Sequence, residues 1–299
     1  MSKRILAHLG LFLTNLFFAI NLSTIKYITN YHLAAPFGLN IIRVGVGALL
    51  FWVIALFNKN KIHILKKDVP RLFLCAVLAL FLNQMLFIKG LFYTFSIHVA
   101  LLFLLTPLLI TLISTFLLKE LISLSKVIGL LFGISGAIIL VTSGKNTGLG
   151  INVLLGDSLI ILSALAYTFY FILVKPLMNK YPPILIMRWI FTIGFLLCLP
   201  FCLYEFFQID FNSFSSFDYL ILFLIVIPGT FLAYIFNLYG IKILNASIAG
   251  TYIYLQPLFA VIIAMVFLKE PLEFHKVIAG VLIFSGVYLS NRKKKNTVQ

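Results

Sequence analysis

Charge is what this sequence most lacks. Asp and Glu number 8 among 299 residues, and charged residues of both signs reach only 10%, against about 25% in a soluble domain. Hydrophobic residues make up 62%, with mean hydropathy +1.12. That balance excludes a water-soluble globular domain and indicates a polytopic membrane protein, with the lipid bilayer as its solvent. No segment between the apolar runs is long enough for a separate soluble domain. There is no Walker loop, no H-E-x-x-H and no cysteine cluster, so no metal or cofactor is expected. The 3 cysteines, Cys75, Cys198 and Cys202, each lie in an apolar run, where packing is the expected role. A membrane enzyme would need several His, Asp or Arg residues converging at the interface, and the loops are too short and too poor in them.

The positive charge that is present, net +15 with pI 9.8, is spread over short loops rather than gathered in a patch. It is read as membrane topology and not as nucleic-acid binding. A span needs about 20 apolar residues. Ten are expected, at roughly 5–29, 37–57, 70–91, 97–118, 124–142, 152–174, 183–204, 218–240, 247–268 and 275–290. The first is too long for a signal-peptide core and is taken as an uncleaved span. Pro36, the basic loop from Lys59 to Pro70, Pro182-Pro183 and the acidic stretch Glu205–Asp218 mark breaks. With the N-terminus inside, the outer segments hold only Lys26, Lys89, Lys145, Lys269 and Lys276, and the inner ones take most of the rest. Both termini are therefore expected in the cytoplasm, in the inner (plasma) membrane.

One stretch occurs twice. Shifting Phe81–Leu140 by 150 positions, without a gap, lays Pro107 on Pro257, Lys119-Glu120 on Lys269-Glu270, Lys126 on Lys276 and Ser135-Gly136 on Ser285-Gly286. Shared apolar composition matches Leu and Ile by chance, but it does not align Pro, Lys-Glu and Gly in one register. The chain reads as a single transmembrane domain, 1–299, with internal repeats 1–145 and 150–299. Five spans per copy is an odd number, so the copies must insert with opposite orientation. The expected fold is an all-α membrane protein of ten transmembrane helices, arranged as two inverted five-helix repeats. Such architecture carries substrate near the bilayer midplane between the halves.

These features resemble the drug/metabolite transporter superfamily, specifically the ten-span EamA-type transporters. The resemblance covers almost the whole chain. It rests on Asn21 leading to Lys26 in the first span, on Arg43 and Arg188 near the start of the second span of each half, and on Pro107 and Pro257. It rests also on the end of each half, Glu120 to Gly129, Gly133 and Gly136, then Glu270 to Gly280 and Gly286. It implies export of amino acids, other small metabolites or drugs, and names no solute. Small multidrug exporters of that superfamily use a membrane-embedded Glu. Here Asp68, Glu120, Asp157, Glu205, Asp210, Asp218, Glu270 and Glu273 all avoid the centre of a span.

Several groups are placed to meet a small-molecule substrate. Pro107 and Pro257 each precede a Lys-Glu pair by about 18 Å of helix, near the membrane centre, and are expected to kink or hinge their spans. The polar residues before them are Thr106 and Gln256. Asn15, Asn83, Gln84, Tyr167, Tyr170, Tyr234, Tyr252 and Gln256 share similar depth, and form the expected substrate wall. Gln256 and Tyr252, four apart, should share a face. Arg43 and Arg188 lie about 10 Å and 8 Å inside opposite edges and are read as gating or carboxylate-binding groups, with snorkelling to the surface as the alternative. Gly129, Gly133 and Gly136 form a small-residue stripe for close packing, with a homodimer as the open alternative. Glu120 and Glu270 are read as surface loop charges, and Asp157 as complementing the start of its helix. The only groups near enough to a span to carry a proton are His8 and Asp157, both at span entrances, so uniport or exchange is expected. A flippase for a lipid-linked substrate is the rival reading. It would need a laterally open cavity and a basic head-group site.

Overall fold

The protein is described here from a computed structural model, which describes residues 3–57, 62–118, 124–143, 152–244, 252 and 254–291. Every element among the described residues is a helix. The first half holds α1 (Lys3–Asn30), α2 (Pro36–Leu56), α3 (Val69–Ala76), α4 (Asn83–Tyr93), α5 (Ser96–Phe103), α6 (Leu105–Leu118) and α7 (Leu124–Ser143). The second holds α8 (Val153–Met178), α9 (Pro183–Phe207), α10 (Ser216–Val226), α11 (Ala233–Leu244), α12 (Leu255–Phe267) and α13 (Phe274–Asn291). Pro36 and Pro183 open α2 and α9, at the first helical position, where the missing N–H would have had no partner.

Between α3 and α4 the chain makes a π-helical stretch, Val77–Leu82, and between α10 and α11 a second, Ile227–Leu232. Neither breaks its rod. Among the described residues, seven stretches are long and apolar enough to cross a membrane: Lys3–Asn30, Pro36–Leu56, Lys66–Tyr93, Leu124–Thr142, Val153–Met178, Pro183–Phe207 and Ser216–Gly240. Ser96–Ile110, Leu255–Phe267 and Phe274–Leu289 are shorter apolar helices.

The 150-residue register of the sequence reappears in the backbone. The two π stretches coincide under that shift, as do the first residues of α6 and α12 and those of α7 and α13. The expectation of a helix kinked at Pro107 is corrected in detail. The chain closes α5 at Phe103, turns at Leu104 and starts α6 at Leu105. Pro107 and Pro257 are therefore the third residues of new helices, a first-turn position that proline tolerates.

Helices from the two halves pack on one another in exchanged pairs. α2 lies along α9, and α7 along α13. The contact of α4 with α8 is matched by that of α11 with α1. The predicted glycine stripe serves the α7–α13 contact. A Cβ on Gly286 would fall 2.5 Å from the Gly129 carbonyl oxygen, and one on Gly136 would fall 2.8 Å from that of Ala279. The backbones approach too closely for any side chain. Large apolar residues such as Leu49, Phe201, Leu220 and Val266 remain exposed on the outer faces, as suits a surface that meets hydrocarbon rather than water.

Candidate functional site

A small cavity of about 10 Å³ lies where α2, α9 and the two π-containing rods meet. It is about the space one water molecule requires. Its lining is Arg43 and Val44 from α2, Phe191 from α9, Leu80 and Gln84 from the first copy's third rod, and Thr230 and Tyr234 from the second copy's. Leu80 and Thr230 are 150 apart, and so are Gln84 and Tyr234. The two copies thus contribute the same register to one cavity. Each contributes from its π stretch or the turn after it. A π turn shifts backbone bonding by one residue and occurs often at functional sites. Here the Thr230 hydroxyl donates to the carbonyl five residues back, Ile225, at 2.9 Å.

Arg43 dominates the cavity. Only 6% of it is exposed. Its Nε donates to Thr230 Oγ1 at 3.4 Å and its Nη1 to Gln84 Oε1 at 3.5 Å. Both bonds are long, and both acceptors are neutral. No carboxylate among the described residues pairs with it. A guanidinium held out of water with two weak contacts retains most of its capacity for an anion. Tyr234 stands beside it, edge-on to Phe18 and Phe191 at ring separations of 5.8 and 5.5 Å. Tyr167 and Tyr170, 5.5 Å apart, lie in the same packed cluster.

The other candidates are placed elsewhere. Asn15 Nδ2 donates to the Leu11 carbonyl one turn back on its own helix, at 2.7 Å. Asn83 Nδ2 donates to Ser163 carbonyl and hydroxyl oxygens, both at 2.9 Å, clamping α4 to α8. Thr106 is buried and its hydroxyl makes no hydrogen bond. Gln256 is half-buried on α12 and does not line the cavity. Tyr252 meets His8, its hydroxyl 2.7 Å from Nδ1. Arg188 is far from being a twin of Arg43. It stacks over Trp52 at 4.5 Å and Trp189 at 5.6 Å along the α2–α9 seam. An almost wholly apolar cleft of about 350 Å³, with Thr142 the one polar residue in its described lining, opens between α6, α7 and α8. Among the described residues its lining contains no basic residue.

Three of the scarce carboxylates, Glu205, Asp218 and Glu270, serve helix starts. Glu205 accepts from the Phe37 and Gly38 amides at the start of α2, at 2.6 and 3.2 Å. Asp218 closes a capping box with Ser215 and accepts from the Tyr27 hydroxyl at 3.1 Å. Glu270 is only 5% exposed and accepts from the Ser96 and Ile97 amides, at 2.8 and 3.0 Å. The expectation of a surface charge there is corrected: burying the start of α5 leaves amides that an acceptor brought by the segment after α12 satisfies. Its repeat mate Glu120 lies outside the described residues. Asp157 does not cap α8 either. Asn152 does, accepting from the Leu155 amide at 3.1 Å. Asp157 instead accepts from the Thr94 hydroxyl at 2.5 Å and pairs with His98 at 2.9 Å, wholly buried.

Comparison with known proteins fits this arrangement. Residues 5–142 and 154–292 each match the EamA-like transporter family. The chain belongs to that family. Among EamA-like relatives, the uncharacterized transporter YetK of Bacillus subtilis (strain 168) is 30% identical over 232 residues, 77% of this chain and 70% of that protein. An uncharacterized transporter of Archaeoglobus fulgidus is 25% identical over 94% of this chain and 97% of its own. A crystal structure of another protein shares the fold at 18% identity, with TM-score 0.62 over 97% of this chain and 99% of that one. Family membership makes this a multi-pass membrane transporter rather than an enzyme, and the two matched segments are its two halves. Sequence reasoning missed Thr230, His98 and Thr94. Only Thr230 had a signal, the Pro228-Gly229-Thr230 interruption of an apolar run.

Proposed function

We propose that this chain is a ten-span secondary transporter of small metabolites, amino acids first, exporting them by alternating access of two inverted halves. The observation that carries the reading is the cavity lined by Leu80 and Gln84 opposite their repeat mates Thr230 and Tyr234. Equivalent residues meet at one point only if that point lies on the axis relating the copies, and inverted-repeat transporters bind substrate there. Ten spans follow by joining α5 to α6 and counting the shorter helices with the long ones. Both termini then face the cytoplasm of the inner membrane. Arg43 holds the substrate carboxylate. Gln84, Thr230 and Tyr234 supply neutral hydrogen bonds, and Tyr167 and Tyr170 form the wall behind. The halves rock about this point, with Pro107 and Pro257 at the hinges and Arg188 steadying the α2–α9 seam.

Counterflow of labelled L-amino acids into loaded proteoliposomes tests this. Arg43→Met should lower uptake at least about ten-fold, the worth of a charge-assisted contact. The melting temperature should hold or rise, because an unpaired buried guanidinium is costly. Unchanged counterflow in Arg43→Met would overturn the site. Scrambling of a fluorescent lipid with no amino-acid counterflow would replace the reading with a flippase.

A further inference from the structure

His98 on α5 and Asp157 on α8 both have side chains at 0% exposure and share a 2.9 Å bond. An ionised carboxylate only accepts, so His98 Nδ1 carries the hydrogen, and in the neutral ring the lone pair then sits on Nε2. That Nε2 is buried and has no hydrogen-bond partner. Asp157 is fully engaged, its second oxygen taking the Thr94 hydroxyl at 2.5 Å. The charged and titratable groups facing His98 from the elements packed on α5 are Lys26 on α1, Asp157 on α8, Glu270 after α12, and His275 and Lys276 on α13, with Glu273 just before it. Glu273 is partly exposed and pairs with His275 at 3.2 Å.

Each buried member of this group is already committed. Lys26 Nζ donates to the Leu91 and Phe92 carbonyls at 3.0 and 2.8 Å. Lys276 Nζ donates to the Pro271 carbonyl at 2.9 Å and lies 4.5 Å over the Phe95 ring. Glu270 caps α5. With His98 neutral, the charges of Lys26 and Lys276 balance those of Asp157 and Glu270. A proton on Nε2 adds a positive charge, and a new donor with no acceptor, inside a closed group. Such a charge costs several kcal/mol while it stays dry, and admitting water relieves it.

We propose that His98 Nε2 is a proton-binding site and that its protonation unlocks the end of the bundle sealed by α5, α8 and the start of α13. The proton arrives from water on that side, bonds to the Nε2 lone pair and returns to the same side. No proton crosses with the solute, so uniport or exchange is retained and only its rate is set by the pH on one side. An imidazole suits the task because Nε2 can take a proton while Nδ1 keeps its bond to Asp157.

Ser96, two residues before His98, is wholly buried, and its hydroxyl has no partner. Ser96→Cys therefore reports opening of this end. The 3 native cysteines are buried and give little background. Labelling by an impermeant maleimide is normalised to the exposed reference Ser213→Cys at each pH, which removes the titration of the thiol itself. From pH 8 to 6 the normalised rate should rise at least about ten-fold, within the roughly hundred-fold that one protonating group can supply over two units of pH. In the His98→Gln background it should stay flat. A flat profile with His98 intact overturns the proposal, whether or not the variants fold, and so does an equal rise in His98→Gln. The readout needs no known solute, so it stands or falls apart from the transport reading.

Discussion

The start of α8 and the start of α1 occupy matching places in the two copies, and they are built differently. At α8, Asp157 is sealed with His98 and Thr94 beneath a carboxylate, Glu270, that caps α5. At α1, His8 is exposed and its ring nitrogen meets the hydroxyl of Tyr252. α1 and α8 start 150 residues apart, as the two π stretches do, so the difference between these ends is chemical and not architectural. Duplication supplied the frame, and single side chains then decided which end holds buried ionisable groups. Arg43 and Arg188 teach the same lesson nearer the centre. One faces a cavity with weak neutral partners, and the other lies over Trp52 and Trp189.

Two substitutions sharpen the contrast between the ends, and the larger comes first. Glu270→Ala removes the acceptor of two buried amides at α5, each costing about 1–3 kcal/mol when unsatisfied. The melting temperature in detergent should drop by several degrees. A change within error would mean that water replaces Glu270 freely and that this end is not sealed. His8→Ala removes one exposed bond, and surface changes of that kind stay within about 0.5 kcal/mol. Its melting curve should overlay the unsubstituted protein's. A drop comparable to that of Glu270→Ala would make the two ends equivalent and erase the contrast.

Much of this was legible in the sequence, for reasons that differ by residue. Pro107 and Pro257, with Lys119-Glu120 and Lys269-Glu270, placed the 150-residue register because they stand out from an apolar background. Arg43, Gln84 and Tyr234 stood out likewise, and the structure brings these three together. Asn15 and Asn83 look identical to them in sequence, yet one amide is spent on its own helix and the other on Ser163. Which partner a polar side chain finds, one turn back on its own helix or 80 positions along the chain, depends on packing that the sequence alone does not show. The π stretches were not legible, since six residues are too few to separate their period from that of an α-helix. His98 lies three residues into a short helix and is buried by α8 and the segment after α12, contacts that no local pattern encodes.

The central claim is that two inverted copies meet on one axis, and positions 63 and 213 test it most directly. They are repeat mates, both exposed, in the loops before the third rod of each half. His63→Cys and Ser213→Cys, made separately and treated with an impermeant maleimide on intact cells, should behave oppositely. The account predicts that Ser213→Cys labels at once and that His63→Cys labels only after permeabilisation. Labelling of both from the same side would contradict it, because equivalent loops on one face of the membrane mean parallel copies.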